Sequence, residues 1–420
     1  MKVLLQKILA YLARKIINRY HPLIIGITGS VGKTSTREAI FSVVNQKFHT
    51  RQSEKNFNNE FGLPFTIIGI QAPGRNALIW LAGIVKGLEL LFFKGKYPEV
   101  LVLEMGIDRP GDMDYLLSIA KPSIAVITTI GISHFEHFPE AGSYEMEKSK
   151  IARSLNASDM LILNADNVRA LAQKNISKAQ LLTYGIGAEA DIKISNITEK
   201  LNTPVGTVFK AVVQNKELTI SLKTLGQAHV SAAAAALAVG YTLGIEPDLL
   251  SRGLKDYKAT PGRLNVIAGI KKTILIDDTY NSAPESVKTA LQLLEKFPLP
   301  HKIAVLGDML ELGNLSEQAH AEIGALTAKL GLSKLVTIGR GGKLIAEGAR
   351  TAGFPAEQIS SFETATQSLP VLQNILQPAT VILIKGSQGM RMERITKEIM
   401  AEPMRAEELL CRQYGKWLTR

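Results

Sequence analysis

The segment Gly26-Ile-Thr-Gly-Ser-Val-Gly-Lys-Thr-Ser35 constrains the fold of this chain more than any other. The apolar run Leu23-Ile24-Ile25 precedes it, and Thr36-Arg37-Glu38-Ala39-Ile40 continues it with a helix-compatible pattern. A strand that passes through a glycine-rich loop into a helix builds a phosphate cradle, because glycine lets backbone N–H groups point inward and the helix N-terminus favours an anion. Lys33 then neutralises terminal phosphates, and the Thr34 hydroxyl suits Mg²⁺. The expected cradle is Gly29, Ser30, Val31, Gly32, Lys33, Thr34 and Ser35, and the co-substrate it implies is a nucleoside triphosphate. The pattern here is G-x-x-G-x-x-G-K-T; the common G-x-x-x-x-G-K-[ST] form would put glycine where Ile27 stands. The competing reading, a glycine-rich turn with a surface lysine, leaves the flanking strand and helix patterns unexplained.

A chain of 420 residues has room for two or three domains, each with its own core. The single cysteine, Cys411, excludes an intramolecular disulfide and a cysteine-rich zinc site, and fits a reducing, cytoplasmic setting. The formal charge of +11 is spread along the chain without a long basic run or an aromatic–basic motif. Solvated lysine faces and a site for anionic substrates account for it better than nucleic acid does.

Two apolar stretches bear on membranes. The first 21 residues carry Lys2, Lys7, Arg14, Lys15 and Arg19 and no acid, with Leu4, Ile8, Leu12 and Ile16 at helical spacing. Lys7 and the lack of an A-x-A site argue against a signal peptide. Such a basic amphipathic helix can lie on an anionic membrane at the inner face. The preferred expectation is that it packs on the body of the protein. The second stretch, Ala77 to Phe93, is broken by Lys86 and Glu89, and neither run reaches the roughly 20 apolar residues that span a bilayer.

Along the chain the fold class is α/β. Val100-Leu-Val-Leu103, Ile124-Ala-Val-Ile-Thr128 and Met160-Leu-Ile-Leu163 read as buried strands alternating with helices, which predicts a mostly parallel sheet behind the phosphate loop. From about Asp191 to Thr224 the period falls to two, predicting antiparallel strands, and an alanine-rich helix follows from Ser231 to Leu243. Pro261-Gly262 breaks the chain. Beyond it Thr273–Ile276, Lys302–Leu306, Lys334–Ile338 and Val381–Ile384 predict a separate, doubly wound, Rossmann-like unit with no phosphate loop. The expected domains are therefore 1–22, a basic helix; 23–263, the ATP-binding domain; and 264–420, the Rossmann-like domain.

Four further constellations carry chemistry. Glu104 ends a predicted strand, where the crevice of an open parallel sheet lies; it reads as a Mg²⁺ carboxylate or as a strand-end cap. His134 reads equally as a metal ligand or a satisfied loop histidine, and Lys148 by default as a solvated helix lysine. Arg263 could grip phosphate, and Asp277-Asp278-Thr-Tyr-Asn281 suits ribose hydroxyls or a helix N-cap. Gly307-Asp308-Met-Leu-Glu311-Leu-Gly313 and Lys385-Gly-Ser387 each follow a strand and should line one crevice.

Together these residues resemble the Mur ligases, ATP-dependent amino-acid and peptide ligases of peptidoglycan synthesis, from about residue 24 to about residue 400. The branch is set by Asn56-Phe-Asn58-Asn59-Glu-Phe-Gly-Leu-Pro64, by Asp277–Asn281, by Gly307–Gly313 and by Lys385-Gly-Ser-Gln-Gly-Met-Arg-Met-Glu393, which are similar to the members that add D-Ala-D-Ala to UDP-N-acetylmuramoyl-tripeptide. The resemblance implies ATP and two Mg²⁺ ions as cofactors, with Lys33 and Thr34 on the triphosphate, Glu104 on the first metal and His134 on the second. It implies that Lys148 is carbamylated at the metal site, that Arg263, Asp278 and Asn281 contact the nucleotide, and that Asn56, Asn58, Asn59, Asp308, Glu311, Lys385 and Ser387 face the substrates. It also implies an acyl phosphate formed from a substrate carboxylate, amine attack on it, and domain closure that excludes water. A monomer is expected.

Three departures stand out. Gly226-Gln-Ala-His229-Val-Ser-Ala232 lacks the polar residues the family uses for adenine, Ala283 replaces a frequent asparagine, and only about 24 residues precede the loop where relatives carry a domain for the uridine nucleotide. The alternatives are a relative acting on another carboxylate acceptor, such as a lipid-linked one, and a non-catalytic cell-wall scaffold.

Overall fold

The computed structural model describes residues 2–53, 58–70, 77–93, 95–131, 138, 142–187, 189–202, 204–213 and 216–417. The chain divides into two compact units. The first comprises Met1–Ile197, Val208–Leu222 and Val230–Tyr257, the second Thr198–Thr207, Lys223–His229 and Lys258–Arg420.

Among the described residues the first sheet has nine strands: β1 (Leu23–Thr28), β2 (Thr50–Gln52), β3 (Val100–Glu104), β4 (Ile124–Ile127), β5 (Met160–Asn164), β6 (Gln180–Gly185), β7 (Ile192–Lys200), β8 (Gly206–Val213) and β9 (Lys216–Leu222). Their order is β2-β3-β1-β4-β5-β6-β7-β8-β9. The pairs from β2 to β6 are parallel. β3 and β4 are buried along their whole length, as continuous apolar runs in a sheet covered on both faces must be. One face packs the loop helix Lys33–Val44 and the helices Gln227–Thr242 and Pro247–Asp256; the other packs Lys2–Tyr20, Gly62–Ile68 and Ser143–Ser154.

The helix Gln227–Thr242 starts four residues earlier than its alanine run suggests, and Ala232 to Val239 are all buried. Alanine has no side-chain entropy to lose and lets neighbouring backbones approach, so a helix that is apolar all round sits inside the unit. The N-terminal helix packs on the body, as preferred above: Leu9, Leu12, Ala13 and Ile16 are buried. No helix among the described residues is long and apolar enough to cross a membrane.

The second unit holds β10 (Asn265–Ala268), β11 (Ile274–Asp278), β12 (His301–Gly307), β13 (Lys334–Ile338), β14 (Ile359–Phe362) and β15 (Thr380–Lys385). The order is β10-β11-β15-β12-β13-β14, parallel except for the antiparallel edge β10. Helices cover both faces, giving a doubly wound layer with two cores. β2, β6, β10 and β14 were not expected from the sequence. Each is short or partly polar, so its pattern does not rise above that of a loop.

Candidate active site

β1 lies between β3 and β4, so the carboxyl ends of three parallel strands meet where the phosphate loop begins. The loop needs glycine at two points. Gly29 has φ 153° and a Cβ there would lie 2.0 Å from Thr128 Oγ1; Gly32 has φ 87°. Thr128 braces the loop by donating to the Val31 carbonyl at 2.7 Å, and the Ser30 N–H donates to Thr129 O at 2.6 Å. The Ser30 hydroxyl accepts from the Gly131 N–H at 3.0 Å. Ser35 is buried and its hydroxyl bonds Tyr257. Sequence reasoning passed over Thr128, because nothing in one strand-end threonine announces a bond to a loop a hundred residues away.

Glu104, at the end of β3, is 3% exposed and is the hub of the site. Thr34 Oγ1 donates to its Oε2 at 3.1 Å, Asn58 Nδ2 donates to its Oε1 at 3.1 Å, and Arg37 NH1 stands 3.5 Å from Oε2. Both carboxylate oxygens are thus engaged by side chains rather than by the N–H groups of a helix end. Arg37, which the sequence did not single out, is buried here and also pairs with Glu38. Asn59 Oδ1 instead accepts from the Gly62 N–H at 3.1 Å, at the start of the helix Gly62–Ile68. Asn56 and His134 lie outside the described residues.

Lys148, on the helix Ser143–Ser154, corrects the default expectation of a solvated lysine. It is fully buried, its Nζ donates to the Gly29 carbonyl at 3.1 Å, and it lies 4.4 Å from the centre of the Tyr144 ring. The helical pattern could not reveal this, because burial depends on the loop laid over it. Burial lowers its pKa to about 7, against the opposing pull of Asp108, Glu104 and Glu147. Lys33 Nζ donates to the same Gly29 carbonyl at 2.7 Å. Two amines and one buried carboxylate thus bracket the cradle.

A divalent cation fits the donors present. The Thr34 hydroxyl and Glu104 carboxylate are adjacent hard oxygens beside a phosphate loop, the donor class Mg²⁺ takes. No group of three or more His, Cys, Asp or Glu side chains among the described residues forms an all-protein metal cage, and Mg²⁺ beside a nucleotide does not need one.

In the second unit Asp278 Oδ2 accepts from Lys385 Nζ at 2.6 Å and its Oδ1 from the Leu264 N–H at 3.3 Å. Lys385 is buried and also donates to Asn281 O at 3.0 Å, so it clamps the turn after β11. Asp277 is buried with Oδ1 held by Thr279 and Thr396, and burial raises its pKa to about 7. The Arg263 guanidinium stacks 4.1 Å over Tyr280, and its Nε is buried without a hydrogen-bond partner among the described residues. His229 is buried with Nε2 3.0 Å from the Arg263 carbonyl. Burial holds its pKa down at about 4, so the ring is neutral and donates to that carbonyl.

Asp308 accepts from the Gly342 N–H at 2.8 Å, at the start of the helix Arg340–Thr351. The Ser387 hydroxyl accepts from the Leu310 N–H at 2.9 Å. A cleft of about 580 Å³ is lined by Asn281, Glu311, Ser387, Gln388, Arg391 and Trp417. Trp417 was missed and Arg391 stood only as a member of the motif Lys385–Glu393: the sequence does not show that the segment around Trp417 returns to this turn, which Arg391 fixes through Glu393 and the Trp417 carbonyl.

A mostly parallel sheet bearing a phosphate loop at its crevice, followed along the chain by a second, mostly parallel sheet without one, defines a two-unit α/β protein of the nucleotide-binding class. The chain belongs to the Mur ligase family: residues 84–240 match the Mur ligase middle domain and residues 262–388 the Mur ligase, glutamate ligase domain. The UDP-N-acetylmuramoyl-tripeptide–D-alanyl-D-alanine ligase of Bacillus subtilis (strain 168) is 32% identical over 94% of this chain and 80% of its own. The enzyme of the same name from Escherichia coli (strain K12) is 27% identical over 90% of this chain and 76% of its own. Among solved structures, MurF from Acinetobacter baumannii superposes with a TM-score of 0.78 at 27% identity, covering 95% of this chain and 80% of that one. MurF ligase from Thermotoga maritima in complex with ADP gives 0.77 at 26% identity, covering 94% and 83%. The family and branch read from the sequence motifs are the ones these relatives carry.

Proposed function

We propose that this protein is a cytoplasmic, monomeric, ATP-dependent ligase that joins D-Ala-D-Ala to a UDP-N-acetylmuramoyl-tripeptide through an acyl phosphate. The observation that carries the reading is the convergence of Lys33, Lys148, Thr34 and Glu104 on the loop after β1. A bare nucleotide-binding scaffold has no need of a buried lysine and a buried carboxylate beside the loop. Residues 23–263 would supply ATP binding and residues 264–420 the incoming amine.

In this reading the loop N–H groups and Lys33 hold the triphosphate, and Lys33 leaves the Gly29 carbonyl to do so. When bound, magnesium would be held by Thr34 and Glu104, with His134 and modified Lys148 at a second ion, and would offset the repulsion between carboxylate and triphosphate. With a pKa near 7, about half of Lys148 is a neutral amine at neutral pH, against almost none for an ordinary lysine. That amine can add CO₂ to give a carbamate anion and release a proton. Asn58 and Arg37 orient Glu104. Arg263 and Asn281 would meet the nucleotide, Asp278 its ribose, and the cleft at Glu311 and Ser387 the dipeptide.

Phosphate release measured with ATP, UDP-N-acetylmuramoyl-tripeptide and D-Ala-D-Ala tests this. Release should require both acceptor and dipeptide. Turnover only with a different carboxylate acceptor, or none despite ATP binding, would overturn the assignment.

A further inference from the structure

The helix Ala77–Phe92 has no need to be apolar on both sides, yet it is. Its inner side packs on the first unit: Gly87 lies against Leu12, and the Tyr20 hydroxyl donates to the Leu90 carbonyl at 3.0 Å. Its outer side carries Leu81 (58% exposed), Val85 (56%), Leu88 (41%) and Phe92 (75%), and Phe93 (70%) continues beyond its end. These positions repeat at i, i+4, i+7 and i+11, one unbroken stripe along a helix. A stripe of large apolar side chains left in water marks a contact surface.

Charge decides what fits it. The helix packed against it, Lys2–Tyr20, exposes Lys7, Arg14, Lys15 and Arg19, together with Leu4 and Tyr11. No acidic residue occurs before Glu38, and Glu89 is the only one on the striped helix. A second copy would bring the same positive charge to the same face. A protein partner is usually met by an apolar core inside a polar rim able to pair. An apolar stripe flanked by lysine and arginine is instead the composition of a helix lying in a lipid headgroup region. The helix has 16 residues, about 24 Å at 1.5 Å per residue, too short for a hydrocarbon core of about 30 Å. It can lie on a bilayer but cannot cross one.

We infer that the helix Ala77–Phe92 and the basic helix beside it form a docking surface for an anionic membrane. The inference is independent of the ligase reading, since its test measures no turnover.

The full chain is sedimented with vesicles of phosphatidylcholine alone and of phosphatidylcholine with about one-third phosphatidylglycerol. Binding is expected to the anionic vesicles at low salt and to weaken as salt rises. A Lys7→Gln, Arg14→Gln, Lys15→Gln variant should bind about a hundredfold more weakly. A Leu81→Gln, Leu88→Gln, Phe92→Gln variant should lose binding while its thermal melt stays within a few degrees of the parent, because all three side chains are already exposed. Absence of binding to anionic vesicles at low salt would overturn the inference, as would binding unchanged in both variants. Concentration-dependent dimers abolished by the apolar variant, without vesicle binding, would assign the face to a second copy instead.

Discussion

At Lys148 the desolvation of an ammonium outweighs three nearby carboxylates. The folded-state pKa of about 7 lies below the ordinary 10.5, so the unfolded chain binds more protons between those values. Stability therefore rises with pH across that window: the cost of the buried amine is full below about 7 and gone above about 10.5. Lys148→Met should accordingly be more stable than the parent near pH 6, by on the order of a few kcal/mol, and melt at a higher temperature, with the gain shrinking toward pH 10.5. The Gly29 carbonyl keeps Lys33 as a donor in that variant. Melts in CO₂-free buffer check this, and a pH-independent offset would refute the lowered pKa. Lys148→Ala should cut phosphate release by about a hundredfold or more, and added short carboxylates should restore part of it. Normal turnover would remove Lys148 from the chemistry. Glu104→Gln keeps the shape but not the charge at the hub of Thr34, Asn58 and Arg37. Its turnover should fall about 10²–10³-fold with the fold intact by circular dichroism.

The strand–loop–helix element beginning at β1 was legible because each of its parts has a local signature: an apolar run, glycines, then lysine and threonine. What the sequence could not show is how tightly it is held. Gly29→Ala would drive a methyl into Thr128 as well as strain the backbone, whereas Gly111, at φ 91°, faces open space. Gly29→Ala should abolish nucleotide binding and destabilise by about 1–3 kcal/mol, against about 1 kcal/mol for Gly111→Ala, as read from denaturant midpoints. Equal effects would mean that Thr128 does not set the loop. The alanine helix Gln227–Thr242 was legible as a helix, but its place at the centre of a core was not, because alanine is equally at home on a surface.

At the scale of the molecule, each unit encloses two cores of its own. Calorimetry should resolve two unfolding transitions, and a non-hydrolysable ATP analogue that meets the loop alone should raise the one belonging to the first unit. A single transition at every ligand concentration would contradict that independence. The acid-free basic helix at residues 2–20 was legible in the sequence, but only the fold sets it beside an exposed apolar stripe.

The sequence alone determined the α/β class, the phosphate loop, the main parallel strands and the family motifs. All of these depend on patterns within a dozen or so residues, where backbone periodicity and glycine leave a local mark. Tertiary structure alone decided that Lys148 is buried rather than solvated, that Asn58 and Arg37 grip Glu104, that Lys385 is sealed against Asp278, and that Trp417 returns to the turn at Arg391. Each of these rests on groups brought together across long stretches of chain. Desolvation and pairing are properties of that assembled surrounding, not of the residue that experiences them.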